Sequence, residues 1–443
     1  MKTPIADFVA RYVDNGVARF HMPGHKGCGP LGVERLDITE VEGADVLSHA
    51  DGIIAESEAN ATALFGTGHS FYTTEGSTSA IQAMLALVAR RVRGRRPRIL
   101  AARNVHKAFV YGCALLDIEV EWLYPEVFTH LTVCEITVNE VERALKAHCP
   151  DAVYLTSPDY VGNVADITGI ASVCRRFDVP LLVDNAHGAY LRFLPEDRHP
   201  MTLGATLCCD SAHKTLPVLT GGAYLHVSKD APAAFLDGGR EALALFCSTS
   251  PSYLILQSLD LCNRVLARDY RENLQKSIKS AQTVREKLIQ KGFLLLGSEP
   301  LKLSLLTAAN GLSGEAAAAL LRQNGVECEL ADRDLLVLML SPCNTEAEVC
   351  RLLRAVEALP VGARCAVVPP SPSVPQRVLS LREAVLAPAE RVSLEAAMGR
   401  ISAAPTVACP PAVPVLMSGE RVDAAAVALL RYYGTTHISV VRE

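Results

Sequence analysis

From about residue 61 the chain alternates short runs that are apolar throughout with longer stretches in which apolar residues recur every three or four positions. The first cycle, "ATALFGTGHSFYTTEGSTSAIQAMLALVARRVRG", predicts the end of a helix, a strand over 70–74, a Gly-Ser-Thr turn and an amphipathic helix to about Val92. Strands follow at "PRILAAR", "EVEWLYP", "DAVYLTSP" and "VPLLVDNA", with helices at "HKAFVYGCALL", "VNEVERALKAH" and "DITGIASVCRRF" between them. Strands apolar on both faces and separated by helices predict a parallel sheet covered on both sides. The expected fold class is α/β, with a mostly parallel sheet in a large domain and a smaller α/β domain after it.

The same pattern suggests boundaries. Residues 1–60 form a loop-rich N-terminal arm, in which "HMPGHKGCGPLG" supplies turn-formers, and 61–292 form the large domain, ending in a long helical stretch over about 251–291. Residues 293–360 alternate again through "LKLSLLTA", "SGEAAAALLRQNG", "DLLVLMLSP" and "EAEVCRLLRAVEAL", with Asn324-Gly325 as a helix stop. A proline-rich link, "PVGARCAVVPPSPSVPQ", opens a last segment over 361–443.

Composition narrows the class. Of 443 residues, 49% are hydrophobic and 21% charged, ordinary usage for a globular chain with a sizeable core. A net charge of −5 argues against a nucleic-acid partner, and the basic run "ARRVRGRRPR" sits where cations suit a helix end. The 14 cysteines show no repeated CxxC spacing, so neither a zinc site nor a disulfide framework is indicated. No signal-peptide core and no membrane-spanning apolar run is found, and the expected location is the cytoplasm, with reduced thiols. His21, His25 and Cys28 have a spacing that would suit one helical face, but Pro23 and the glycines forbid that helix, and no metal site is expected. Trp122 and the Cys208-Cys209 pair read as strand packing.

Three short stretches carry chemistry. "EGSTSA" (75–80) places Gly76, Ser77 and Thr78 where a strand becomes a helix, which serves either as ordinary capping or as a phosphate cradle. "LLVDNAHGAY" ends an apolar strand in Asp184, at the carboxyl edge where open α/β sheets bind ligands, although an acid there also caps helices. "DSAHKTLP" (210–217) sets Ser211, His213 and Lys214 on a turn, where a desolvated amine can form a Schiff base and an ordinary surface lysine would equally fit. Together they supply the phosphate cradle, acid and amine that a pyridoxal 5'-phosphate site needs.

The chain resembles the ornithine/lysine/arginine decarboxylases of the aspartate-aminotransferase fold (fold type I), in the short form without an N-terminal receiver-like domain. The likeness rests on "FHMPGHKG", "GSTSA", "NVHKAF", "VDNAHGAY", "SAHKTLPVLTGGAYLHV", "STSPSYLILQSLD" and "PPAVPVLMSGE", and covers nearly the whole chain. It implies that Lys214 carries the cofactor as a Schiff base and that Asp184 pairs with the pyridinium nitrogen. His106 would stack on one ring face and Ala186 pack on the other. Gly76, Ser77, Thr78, Ser211 and His213 would hold the phosphate side, and Thr249 would come from a second subunit of a homodimer. Tyr160 and Glu420 would contact the substrate. The implied reaction is decarboxylation of arginine, lysine or ornithine to the corresponding amine and CO2, with Cα protonated by His213 or Lys214, as in polyamine biosynthesis.

Glu75 stands where the family usually has Asn, Val161 where a second Tyr is common, Ala412 for a Gly and Ser418 for a Pro. These departures keep two alternatives in view: a cofactor-binding paralogue without catalysis, and another reaction of the same cofactor such as transamination.

Overall fold

The computed structural model describes residues 1–125, 130, 133–406 and 414–443, and Ala412 lies outside them. The chain forms two compact units, one of Met1–Pro97, Ala144–Leu155 and Ile167–Arg271, the other of Arg98–Arg143, Thr156–Asp166 and Glu272–Glu443. Seven strands carry the first half of the chain: β1 (His69–Thr73), β2 (Arg98–Ala102), β3 (Glu119–Leu123), β4 (Ala152–Thr156), β5 (Leu181–Asp184), β6 (Leu207–Asp210) and β7 (Ala223–Val227).

In the first unit the strands lie in the order β1-β7-β6-β5-β4. Strands β5 and β6 run parallel, with Val183 opposite Cys208 and Asp184 opposite Cys209. Strand β7, which the periodicity does not single out, is antiparallel to β6 and to β1. All four residues of β5, all four of β6 and all five of β7 are buried, which is why their sequences are apolar runs and not alternations. The covering helices are one-sided: Ile167–Arg176 buries Ile167, Ile170, Ala171, Val173 and Cys174 and sets Arg175 and Arg176 at its last turn.

The N-terminal arm holds more helix than its turn-formers suggest. Pro4–Asp14 is helical, buries Pro4, Ile5 and Val9, and is followed later by helix Ile53–Phe65. Its start is fixed by Asp260, which accepts from the Ala6 N–H at 3.0 Å and from Ser57 Oγ at 2.6 Å. The long helical stretch is two helices, Tyr253–Arg268 and Tyr270–Lys291, broken at Asp269.

In the second unit β2 and β3 pair in parallel. A separate antiparallel sheet orders Leu330–Ala331, Leu336–Met339, Lys302–Leu305 and Leu295–Leu296, and its core includes Leu303, Leu305, Leu321, Leu336 and Val356. The helix stop at Asn324-Gly325 is present, with Gly325 at φ 70°. Strands Ala389–Ser393 and His437–Val441 form a last antiparallel pair. No helix among the described residues is long and apolar enough to cross a membrane.

Candidate active site

Strand β5 ends in Asp184, whose side chain is 2% exposed. Its carboxylate accepts from the Ala186 N–H at 3.1 Å, from Tyr154 Oη at 3.3 Å and from the Cys209 thiol at 3.5 Å. Cys209 reaches it because the parallel register places the two residues side by side. Burial raises the Cys209 thiol well above its ordinary range, so it stays protonated and donates.

Strand β6 leads into the one-turn helix Ala212–Thr215, which carries Lys214. Lys214 Nζ lies 3.2 Å from His187 Nε2, itself three residues beyond Asp184 and 6% exposed. His187 lies inside "VDNAHGAY", a motif that by itself gives it no role. Its signal was position: a buried polar residue just past the end of a wholly apolar strand. His213 is half-buried, and both its backbone N–H and its Nδ1 contact the Gly222 carbonyl, at 3.2 and 3.1 Å. Burial, with the Lys214 charge adding to it, lowers the His213 pKa below the ordinary imidazole value.

The residues expected at the phosphate open helix Gly76–Arg91, the 16-residue helix that follows β1. No side chain caps it: its N-cap residue, Glu75, is exposed and makes no capping bond. Gly76 has φ 70°, donates its N–H to the Gly221 carbonyl at 2.7 Å, and has open space where a Cβ would stand. Ser77 Oγ and Ser211 Oγ are 2.7 Å apart, tying this first turn to the start of the lysine turn. Thr78 is exposed beside them. An uncapped helix N-terminus, unfilled space at Gly76 and two hydroxyls suit a phosphate, while the buried acid and the half-buried lysine suit a pyridine ring and its aldehyde. The donor set fits pyridoxal phosphate.

The first unit thus brings together Gly76, Ser77, Thr78, Asp184, Ala186, Ser211, His213 and Lys214, and also holds Thr249, which is exposed. His106, Tyr160 and Glu420 belong to the second unit. His106 caps helix Lys107–Leu115, its Nδ1 accepting from the Ala108 N–H at 3.1 Å. Tyr160 is 7% exposed and donates to Glu329 at 2.6 Å. Glu420, expected to contact the substrate, is 2% exposed with both oxygens engaged. Arg103 donates to each of them at 2.6 Å, and the Met417 N–H adds a third bond at 2.7 Å. Nothing in the motif pointed to Arg103. His21 and His25 are also taken up locally, by Tyr12 and Asp37.

A lysine, an acid and a phosphate cradle at the carboxyl ends of such strands define the fold-type I pyridoxal-phosphate enzymes, and the fold agrees. An alanine–glyoxylate aminotransferase from Nostoc sp. superimposes with TM-score 0.55 at 18% identity, over 69% of this chain and 86% of its own. The chain belongs to the Orn/Lys/Arg decarboxylase family: the model of the family's major domain matches residues 3–298, and that of its C-terminal domain matches 373–438. The arginine decarboxylase of Halalkalibacterium halodurans is 30% identical over 465 residues, covering 97% of this chain and 93% of the relative. The Francisella novicida lysine decarboxylase LdcF has the same fold, with TM-score 0.81 at 17% identity over 99% of this chain and 81% of its own. The protein is a pyridoxal-phosphate-dependent amino-acid decarboxylase acting on a basic amino acid.

Proposed function

We propose that the substrate is L-arginine, converted to its amine and CO2. The observation that supports this choice is that a relative named arginine decarboxylase aligns along nearly the full length of both chains. Pyridoxal phosphate supplies, when bound, the electron sink that takes up the pair left by the departing carboxylate. The residues do the rest. Lys214 would hold the aldehyde, with His187, 3.2 Å away, fixing the amine's position. Asp184 would pair with the ring nitrogen, its carboxylate held against rotation by Tyr154, Cys209 and the Ala186 N–H. Ala186 would pack against the ring, and Ser77, Thr78 and Ser211 would hold the phosphate. Lys214 and His213 are the two candidates to return a proton to Cα, and the lowered pKa of His213 favours Lys214 as the donor at neutral pH.

A cytoplasmic homodimer that makes amines for polyamine biosynthesis belongs to the same reading. Exposed Thr249, in a segment outside helix and strand, is the residue a second subunit would present. The test is amine and CO2 release from arginine, lysine and ornithine by the cofactor-loaded protein, with Lys214→Ala as control. Arginine should be turned over fastest and the control should fall to background. Faster release from lysine or ornithine would displace arginine. Cofactor binding with no amine from any of the three would point to a different substrate or a silent paralogue, and pyridoxamine phosphate formation to a transaminase.

A further inference from the structure

Beneath the site lies a polar cluster that the reaction does not use. Asp210, at the end of β6, is fully buried with His199, His226 and Asn185. Its Oδ2 is 2.9 Å from His199 Nε2 and 3.2 Å from His226 Nε2, and its Oδ1 accepts from Asn185 Nδ2 at 2.7 Å. The proton positions follow from the far sides of the rings. His199 Nδ1 accepts from the Met201 N–H at 3.3 Å, so Nε2 carries the proton given to Asp210. His226 Nδ1 is 2.8 Å from Ser70 Oγ, which Thr67 Oγ1 supports at 2.7 Å. Two imidazoles and one amide therefore converge on a single buried carboxylate. Burial alone would raise its pKa, but the two histidines hold it well below the usual carboxylate range.

The strand register gives this cluster its use. Asp184 lies opposite Cys209, so the next residues along, Asn185 and Asp210, meet on the other face of the sheet. The Asn185 N–H also donates to the Cys209 carbonyl at 2.9 Å, and the Gly188 N–H to the Asn185 carbonyl at 2.8 Å. The turn that carries Asp184, Ala186 and His187 is thus fastened through Asn185 to Asp210.

We propose that Asp210, held by His199 and His226, is a positioning residue that sets the Asp184–His187 turn against the cofactor through Asn185. The proposal rests on the cofactor reading above. His199, Cys208 and Asp210 also have ligand atoms within 4.8 Å of one another, the spacing of a metal site. Hydrogen bonding opposes that use, because the histidine nitrogen aimed at Asp210 carries a proton.

In Asp210→Asn the new amide oxygen can still accept from both histidines, but the buried charge that orients the Asn185 amide is lost. Asn185→Ala removes the same link from the other end and leaves Asp210 and both histidines in place. Cofactor titration of the apo proteins, followed by the visible band of the bound cofactor, reads the effect. Wild-type protein should give a band that Lys214→Ala lacks, and no band in wild type would refute the cofactor reading itself. Given that band, both variants should bind pyridoxal phosphate about tenfold or more weakly, as loss of a hydrogen bond to a buried charge implies. Their band should also shift, because Asp184 no longer meets the ring nitrogen squarely. Should Asp210→Asn not fold, Asn185→Ala decides. Wild-type affinity and band in Asn185→Ala, or one equivalent of tightly held zinc in the purified protein, overturns the proposal.

Discussion

Asp260 shows what one buried side chain imposes. It is fully buried between Ser57 and the start of the N-terminal helix, and burial, helped by nearby Asp7, pushes its pKa from 3.8 up to about 6. Between those values the folded protein keeps a proton that the unfolded chain has lost, so stability falls as pH rises through this window. Asp260→Asn should flatten that decline, a difference on the order of 3 kcal/mol at neutral pH at ~1.4 kcal/mol per pKa unit. Denaturant unfolding of both proteins at pH 4.5 and pH 7 checks it, and parallel pH profiles would show that the carboxyl is ionised throughout. At this scale the sequence disclosed identities but not partners. Lys214 and Asp184 stood out because an amine on a small-residue turn and an acid ending an apolar strand break the local pattern. His187 and Asp210 break it in the same way. What hid their use was distance along the chain: Asp210 meets Asn185 25 residues away and His226 16 residues away.

Among elements, Arg103 and Glu420 make the most consequential pair. The arginine follows β2 and the glutamate lies 317 residues later, where its backbone bridges to Arg377. Burial opposes the Arg103 charge, yet the Glu420 carboxylate reverses that effect and raises its pKa. The guanidinium also sits 5.5 Å from the centre of the Trp122 ring and 5.2 Å from that of Tyr124. Glu420→Ala would leave a buried cation with no counter-ion and should cost about 3–5 kcal/mol. Glu420→Gln, which keeps one acceptor, should cost less. An unchanged denaturation midpoint in Glu420→Ala would remove the structural reading and return the residue to substrate recognition. Element boundaries were legible wherever the apolar run was long: β2, helix Lys107–Leu115 and β5 fall inside the runs that predict them. Strand β7 escaped because its five residues follow two glycines and its direction reverses. Helix Pro4–Asp14 escaped because turn-formers further along the arm dominated the reading.

At the scale of the molecule, the cofactor should act as a ligand of the folded state. At a hundredfold excess over its dissociation constant it should stabilise the protein by about 2.7 kcal/mol. Thermal unfolding should therefore move up by about 5–11 °C on adding pyridoxal phosphate, at about 2–4 °C per kcal/mol for a domain of roughly 200 residues. Lys214→Ala should lose most of that shift, and an equal shift in both proteins would mean that the lysine contributes little to binding. The sequence by itself determined the α/β class, the order of most strands and helices, the family and the cofactor. Those follow from hydrophobic period, turn chemistry and short motifs, which are local properties of the chain. Only the tertiary structure decided that Glu420 is held by Arg103, that His187 meets Lys214, and that Asp210 fastens the Asp184 turn. The physical reason is that a buried polar group must find its partner wherever the packing places one, and sequence spacing carries no record of that place.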